Sequence, residues 1–319
     1  MLILRKIRCK IGVTTLKSVI ISGANGFVGS WLVKEMVKNN INVLALDKEG
    51  CNNNLPESPL VSFVPMDLAD VSMLGDKIKS NEYDVFYHFA WAGSAGEART
   101  DENLQLKNAL WTADCLRLAK ELGCKKFVCA GSIMEKETLA AVYNAGNKPG
   151  MPYIYGAGKM IAHCICKPIA AQIGIDLVWA YITNAYGEGE ISPRFVNTTI
   201  RKIINNEPLQ FTSATQNYDF VHVEDVARAF YAIGDKGKGF CEYTIGSSNA
   251  RPLKEFIIEM QQALAPEAEL VFGNVPFTGI NMPLSEFDTT ATEEDTGFKA
   301  EISFAEGVRR TMEWLKSQG

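Results

Sequence analysis

Tyr155 and Lys159 lie four residues apart, and Ser132 precedes them in the chain. Residues four apart on a helix share a face. An ammonium group placed there stabilises a phenolate and draws the phenol's pKa down towards working pH. Such a phenol can take a proton from a hydroxyl as hydride leaves the same carbon, or return it in the reverse step. A hydroxyl such as that of Ser132 would orient the reacting oxygen and stabilise charge on it. The Y-x-x-x-K spacing occurs by chance in many chains; here it follows Ser132 in order and lies behind a glycine-rich turn. Tyr153 is a decoy, with Ala157 rather than a lysine four residues on.

Hydride needs an acceptor, and the turn Gly23-Ala24-Asn25-Gly26-Phe27-Val28-Gly29 suits one. It stands between the apolar run Ser18–Ser22 and a helical pattern from Gly26 to about Lys38. That is the context a dinucleotide phosphate loop requires. Gly23 allows the tight turn, Gly26 leaves no Cβ between backbone and pyrophosphate, and Gly29 lets the helix approach the sheet. The helix N-terminus then offers free N–H groups to phosphate. Asp47 ends the next apolar run, Asn42–Asp47, where a carboxylate can accept from adenosine ribose hydroxyls. It repels a 2′-phosphate and so favours NAD over NADP, although Lys48 beside it pulls the other way. The alternative for Asp47 is a solvated loop acid.

These groups must be held by alternating strands and helices. Val61–Pro65, Tyr83–Phe89, Lys126–Ala130 and Asp176–Tyr181 read as further strands, with helical stretches over Asp67–Ser80, Asn103–Leu122 and Gly158–Ile173. Pro168 should kink or break the last of these. Apolar strands with little alternation, each followed by a helix, predict an α/β fold: a Rossmann-type doubly wound parallel sheet. The expected division is an N-terminal extension over 1–16 and a nucleotide-binding domain over 17–183, which 217–249 rejoins. A smaller, discontinuous substrate lobe follows over 184–216 and 250–319.

Net charge is −5, with 22% charged and 47% hydrophobic residues. That balance argues against nucleic acid or an anionic membrane as partner, and no run reaches the length of a membrane span. The eight cysteines form no C-x-x-C pair and the three histidines are scattered, so no metal site is expected. The first sixteen residues do not fit a secretory signal, and the cysteines read as free thiols in a reducing cytoplasm.

The glycine spacing G-x-x-G-x-x-G resembles that of the extended short-chain dehydrogenase/reductases, specifically the NAD-dependent epimerase/dehydratase family acting on nucleotide sugars. The resemblance extends over roughly residues 17–315. Met66-Asp67-Leu68 looks like the adenine-side Asp-Leu pair, and His88-Phe89-Ala90-Trp91-Ala92 like the segment along which the cofactor lies. Asn108 matches the asparagine that steadies the active-site helix. Phe127–Ser132 matches the strand delivering the catalytic hydroxyl, and Tyr155–Lys159 the Y-x-x-x-K motif. Asn184-Ala185-Tyr186-Gly187 resembles the N-x-Y-G at the lobe boundary, and Asp219–Val226 the D-F-V-H-V-D-D-V segment. The resemblance implies NAD bound by Gly23, Asn25, Gly26, Phe27, Val28, Gly29, Asp47, Asp67, Leu68, Phe89, Ala90, Trp91, Asn108, Tyr155, Lys159 and Ile182. Lys159 would also bond the nicotinamide ribose. Met134, Glu135, Asn184, Arg194 and Tyr218 are the expected substrate contacts.

Some positions depart from the family pattern. Ile133-Met134 stands where the 4,6-dehydratases place Asp-Glu, which disfavours elimination of water. Glu135 is one position late, either a substrate contact or solvated. Tyr218 occupies the place of the arginine expected to hold the nucleotide diphosphate; Arg194 is the candidate replacement, a surface helix arginine being the equal alternative. His163 could serve as a ring-epimerising donor only by analogy, and an outer helix face is expected for it. The leading expectation is therefore a nucleotide-sugar epimerase of the 4-epimerase type. A 4-keto-sugar reductase and a non-catalytic NAD(P) sensor of the same fold remain alternatives. A homodimer seam through Leu106, Leu110, Cys164 and Ile165 is an expectation of the resemblance, burial in the chain's own core being the alternative.

Overall fold

The computed structural model describes residues 15–318, apart from 51–52, 76–77 and 79–82. Nearly all of the expected N-terminal extension, together with Cys9 and Cys51, lies outside them. Six strands open the sheet: β1 Ser18–Ser22, β2 Asn42–Asp47, β3 Val61–Pro65, β4 Val85–His88, β5 Lys126–Ser132 and β6 Asp176–Ile182. A seventh, Glu242–Ile245, adds itself outside β6. From one edge the order is β3, β2, β1, β4, β5, β6 and Glu242–Ile245, and every pairing is parallel.

Val, Ile and Phe dominate these strands because both faces are covered by helices, so little polar alternation survives. One face is closed by α1 (Phe27–Lys38) and α6 (Val223–Lys236), around Val19, Ile21, Leu32, Val33 and Phe230. The other is closed by α2 (Glu102–Glu121) and α4 (Tyr153–Ile173), around Ile20, Phe86, Leu116, Phe127 and Trp179. Strand order reverses beside β1, whose neighbours are β2 and β4. The crevice outside the carboxyl ends of these strands is where doubly wound sheets bind ligands.

Two local expectations change. The stretch from Asp67 narrows to a short 3₁₀ turn, Leu68–Met73, started by the Asp67 side chain accepting from Ala69 N at 3.0 Å; later residues of that stretch partly lie outside the described ones. The α4 helix begins five residues earlier than the pattern suggested and continues through Pro168. Proline removes the bond to the carbonyl of residue i−4, here Cys164, and both residues are solvent-exposed, where water can satisfy that oxygen.

The remaining chain builds a second packing unit. The Asn184–Tyr186 strand pairs with Phe220–His222, so the latter joins this unit rather than the main sheet. Helices α5 (Phe195–Ile204), α7 (Leu253–Leu264) and α9 (Phe304–Ser317) close over Tyr186, Phe220, Phe256 and Phe304. An ionic knot ties it to the sheet domain. His222 and Arg310 both meet Glu188, holding its carboxyl down at about 2 against the effect of burial. Trp31 on α1 donates to the Glu188 carbonyl at 2.9 Å.

Candidate active site

The glycine turn folds back on itself. Gly23 has φ +71°, and a Cβ there would lie 2.6 Å from Ala90 N. A Cβ on Gly29 would lie 2.0 Å from the Gly23 carbonyl oxygen, so only glycine lets α1 reach the turn. Gly26 is the N-cap of α1, with no side-chain cap and no acid in the first turn. The first N–H groups of the helix are therefore left for an anion.

Asp47 closes the turn from behind, its Oδ2 accepting from Asn25 N at 2.8 Å. Lys48 reaches Asp67 at 3.3 Å. That cation and the Ala69 N–H outweigh slight burial, so the Asp67 carboxyl lies below its ordinary value, the backbone bond being the largest cause.

A cavity of about 640 Å³ runs from this turn along the carboxyl ends of β1 and β4 to Ser132. Its wall holds Gly23, Gly26, Phe27, Val28, Gly29, Asp47, Asp67, Leu68, Phe89, Ala90, Trp91 and Ile182, with Ser132, Tyr155 and Lys159 at the inner end. Two residues expected at the cofactor stand behind that wall instead. Asn25 spends its side chain on Asn54, and Asn108 is buried with its amide clamping Ala92 through both N–H and C=O, at 2.9 and 2.8 Å. Both hold the wall in shape rather than face the cavity.

The inner end is built tightly. Lys159 is buried; its Nζ donates to the Ala130 carbonyl at 2.8 Å and lies 3.8 Å from the Trp91 ring. His88 lies beneath, bonded to Ser22 and Thr112; burial first, then the Lys159 charge, holds its pKa down at about 3. The Tyr155 ring meets Trp91 edge to face at 6.1 Å. On it also rests the guanidinium of Arg99, 4.6 Å from the ring centre.

A second cavity of about 290 Å³ shares Ser132, Tyr155 and Arg194 with the first. Met134, Asn184 and Tyr218, expected at the substrate, line it, as do Arg99 and Glu137. Arg194 is half-exposed and pairs with Glu190 at 3.2 Å. Tyr218 stacks on Phe220, and burial pushes its phenol up to about 12, with the charge of Glu137 adding to the effect.

Glu135, expected as a substrate contact or solvated, is buried and lines neither cavity. Helix α3 (Ile133–Val142) starts immediately after β5, with Ser132 as its N-cap. Ser132 Oγ accepts from Met134 N at 3.2 Å, and Glu135 reaches back to Ser132 N at 2.8 Å. This is a reciprocal capping box, and its S-x-x-E signature is plain in Ser132-Ile133-Met134-Glu135. Trp179 Nε1 donates to the same carboxylate, which sits buried behind the serine. His163 likewise is not on an outer face: it stacks on Trp179 with ring centres 4.4 Å apart and lines neither cavity.

Burial pushes the Glu135 carboxyl up from its ordinary 4.5 to about 7. Its folded pKa is raised, so its contribution to stability is full below pH 4.5 and is lost as pH rises to about 7. Glu135→Gln stays neutral throughout. Between pH 5 and pH 8 the wild type should lose up to about 3 kcal/mol relative to this variant. Urea unfolding of both proteins at the two pH values checks this; parallel pH dependence would contradict it.

Residues 19–246 match the NAD dependent epimerase/dehydratase family. The chain belongs to that family. Over 94% of its length it is 26% identical to a putative UDP-glucose 4-epimerase of Methanocaldococcus jannaschii, covering 98% of that protein. The Bordetella bronchiseptica enzyme WbmF in complex with NADH shares the fold, with a TM-score of 0.76 and 24% identity; the match covers 95% of this chain and 92% of that one. The UDP-N-acetylglucosamine 4-epimerase of Methanobrevibacter ruminantium does so with a TM-score of 0.79 and 19% identity, over 95% and 99% of the two chains. Among the described residues no helix is long and apolar enough to cross a membrane.

Proposed function

We propose that this family member is an NAD-dependent nucleotide-sugar epimerase of the 4-epimerase type. The observation that carries the reading is one continuous cavity. It joins the uncapped α1 N-terminus and Asp47 at one end to Ser132, Tyr155 and Lys159 at the other, where a second cavity opens. The bare N–H groups of α1 suit a pyrophosphate and Asp47 an adenosine ribose. Bound there, NAD supplies a hydride acceptor and donor.

Tyr155 takes the proton from the sugar's C4 hydroxyl and returns it after the sugar has turned over. Lys159, one helical turn from Tyr155 and held by the Ala130 carbonyl, supplies the ammonium group of the pair and is in place for a ribose hydroxyl. Ser132 donates to the C4 oxygen as its charge develops. Its hydroxyl also caps α3, so Ser132→Ala should lower kcat by about 100-fold and cost about 1 kcal/mol of stability. Steady-state kinetics and urea unfolding measure the two effects; loss of stability alone would leave Ser132 a structural cap.

Arg194, Asn184 and Tyr218 are proposed to meet the nucleotide and sugar in the second cavity. The exposed faces of α2 and α4 carrying Leu106, Leu110 and Cys164 are the surface proposed to pair two copies, while Ile165, also expected there, packs partly against the chain's own core. The test of function is incubation with candidate nucleotide sugars, with product analysis by NMR. Epimerised product without added cofactor supports the reading. Stoichiometric consumption of NADH or NADPH would make the protein a keto-sugar reductase, and binding without turnover a sensor.

A further inference from the structure

Arg99 has no part in the chemistry so far, yet its guanidinium lies 4.6 Å from the centre of the Tyr155 ring. It lies on the short turn Glu97–Thr100, between β4 and α2, and turns inward to line the second cavity. Its guanidinium rests on the ring of Tyr155, and its Nε is buried with no hydrogen-bond partner. A stacked guanidinium keeps its in-plane N–H groups free for a carboxylate fork, and leaving such a donor buried and unmet is costly.

The charges around it leave room for an anion. Arg194 faces the same cavity, partly answered by Glu190. Glu137 also lines it, and its charge and that of Arg99 act on one another through space. Burial pushes the Glu137 carboxyl up to about 7, with Arg99 pulling the other way, so it only partly offsets the two arginines near neutrality. Burial, then the charge of Arg194, lowers the Arg99 pKa against the pull of Tyr155 and Glu137, yet an arginine remains charged.

We propose that Arg99 binds a carboxylate carried by the sugar itself, so that the substrates of this site are nucleotide-linked uronic acids. The inference rests on the nucleotide-sugar reading above. Its geometry comes from the hexose ring. The diphosphate leaves the ring at C1, across from C4, whereas the C6 carboxylate is attached to C5, the immediate neighbour of C4. An arginine lying on the phenol that serves C4 is on the side of the ring from which the C6 group is reached. A neutral hydroxymethyl group in that place would leave the guanidinium, its Nε buried, without its fork partner, and such unmet groups are what make a polar site reject the wrong substrate.

The test compares UDP-glucuronate with UDP-glucose. Wild-type kcat/KM should favour the uronate by about 100-fold. Arg99→Gln should lower kcat/KM for the uronate by at least about 30-fold more than for the neutral sugar, and Arg99→Lys should recover part of the difference. Equal losses on both sugars would overturn the inference, since Arg99 would then be acting on Tyr155 or on the diphosphate. Calorimetric titration of the NAD-loaded wild type with UDP, UDP-glucose and UDP-glucuronate needs no variant. Tighter binding of the uronate supports the assignment. Equal binding of the two sugars overturns it while leaving the nucleotide-sugar reading intact. Binding of none of the three overturns both.

Discussion

Tyr155→Phe is expected to reduce kcat about 1,000-fold while changing the affinity for NAD and for the nucleotide sugar only a few-fold. The ring loses a single oxygen, and its neighbours do not depend on that oxygen for their places. Trp91 meets the ring edge, Arg99 its face, and Lys159 is anchored to the Ala130 carbonyl rather than to the phenol. What disappears is the group that accepts the C4 proton as hydride departs, and a positioned acid–base contributes about 100- to 10,000-fold. Steady-state kinetics with calorimetry on the same preparation separates the two effects. A variant retaining more than about a tenth of wild-type kcat would show that another group carries the proton.

Gly29→Ala is the second large effect expected, and it acts on cofactor binding and folding together. The added methyl would lie 2.0 Å from the Gly23 carbonyl oxygen and 2.9 Å from its carbonyl carbon, both backbone atoms with no rotamer to escape into. Either α1 backs away from the turn or the turn opens, and both movements misplace the N–H groups meant for phosphate. A loss of about 3 kcal/mol in unfolding free energy and at least about tenfold in NAD affinity is expected. Gly26→Ala is the internal comparison, because its methyl would meet the same oxygen at 3.1 Å. It should cost distinctly less stability. Urea unfolding and NAD titration of both variants check the order; equal stability losses would contradict it.

The sheet was readable because its strands are unbroken apolar runs ended by glycine or an acid, as in Ser18–Ser22 before Gly23 and Asn42–Asp47. The cavity's two ends were readable for a related reason. Each is a short local pattern: seven residues of glycine turn, and five from Tyr155 to Lys159. Where the reading failed, the deciding interaction ran across the fold. Glu135 looked like a substrate contact because its residue type suits one, but Trp179 on β6 draws it behind Ser132. The capping box that starts α3 was nonetheless present in four consecutive residues. His163 has no neighbouring pattern that announces its stacking on Trp179. Pro168 breaks a helix only where the orphaned carbonyl has no solvent, a fact about the surface rather than the sequence. Arg99 sits on an irregular turn without periodicity, and no residue near it in sequence reveals that it lies on Tyr155. The Asn25 and Asn108 side chains bond to Asn54 and Ala92, partners that no local pattern announces.

The account turns on hydride passing between the sugar's C4 and a nicotinamide held beside Tyr155. Incubating the protein with UDP-glucuronate and UDP-glucose, each deuterated at C4, and following the label by NMR tests this most directly. The predicted result is an epimerised product that keeps the deuterium at C4 in ordinary water, with the label passing transiently through bound cofactor. Epimerised product in which C4 carries solvent hydrogen would contradict it, because the C4 hydrogen would then have left as a proton.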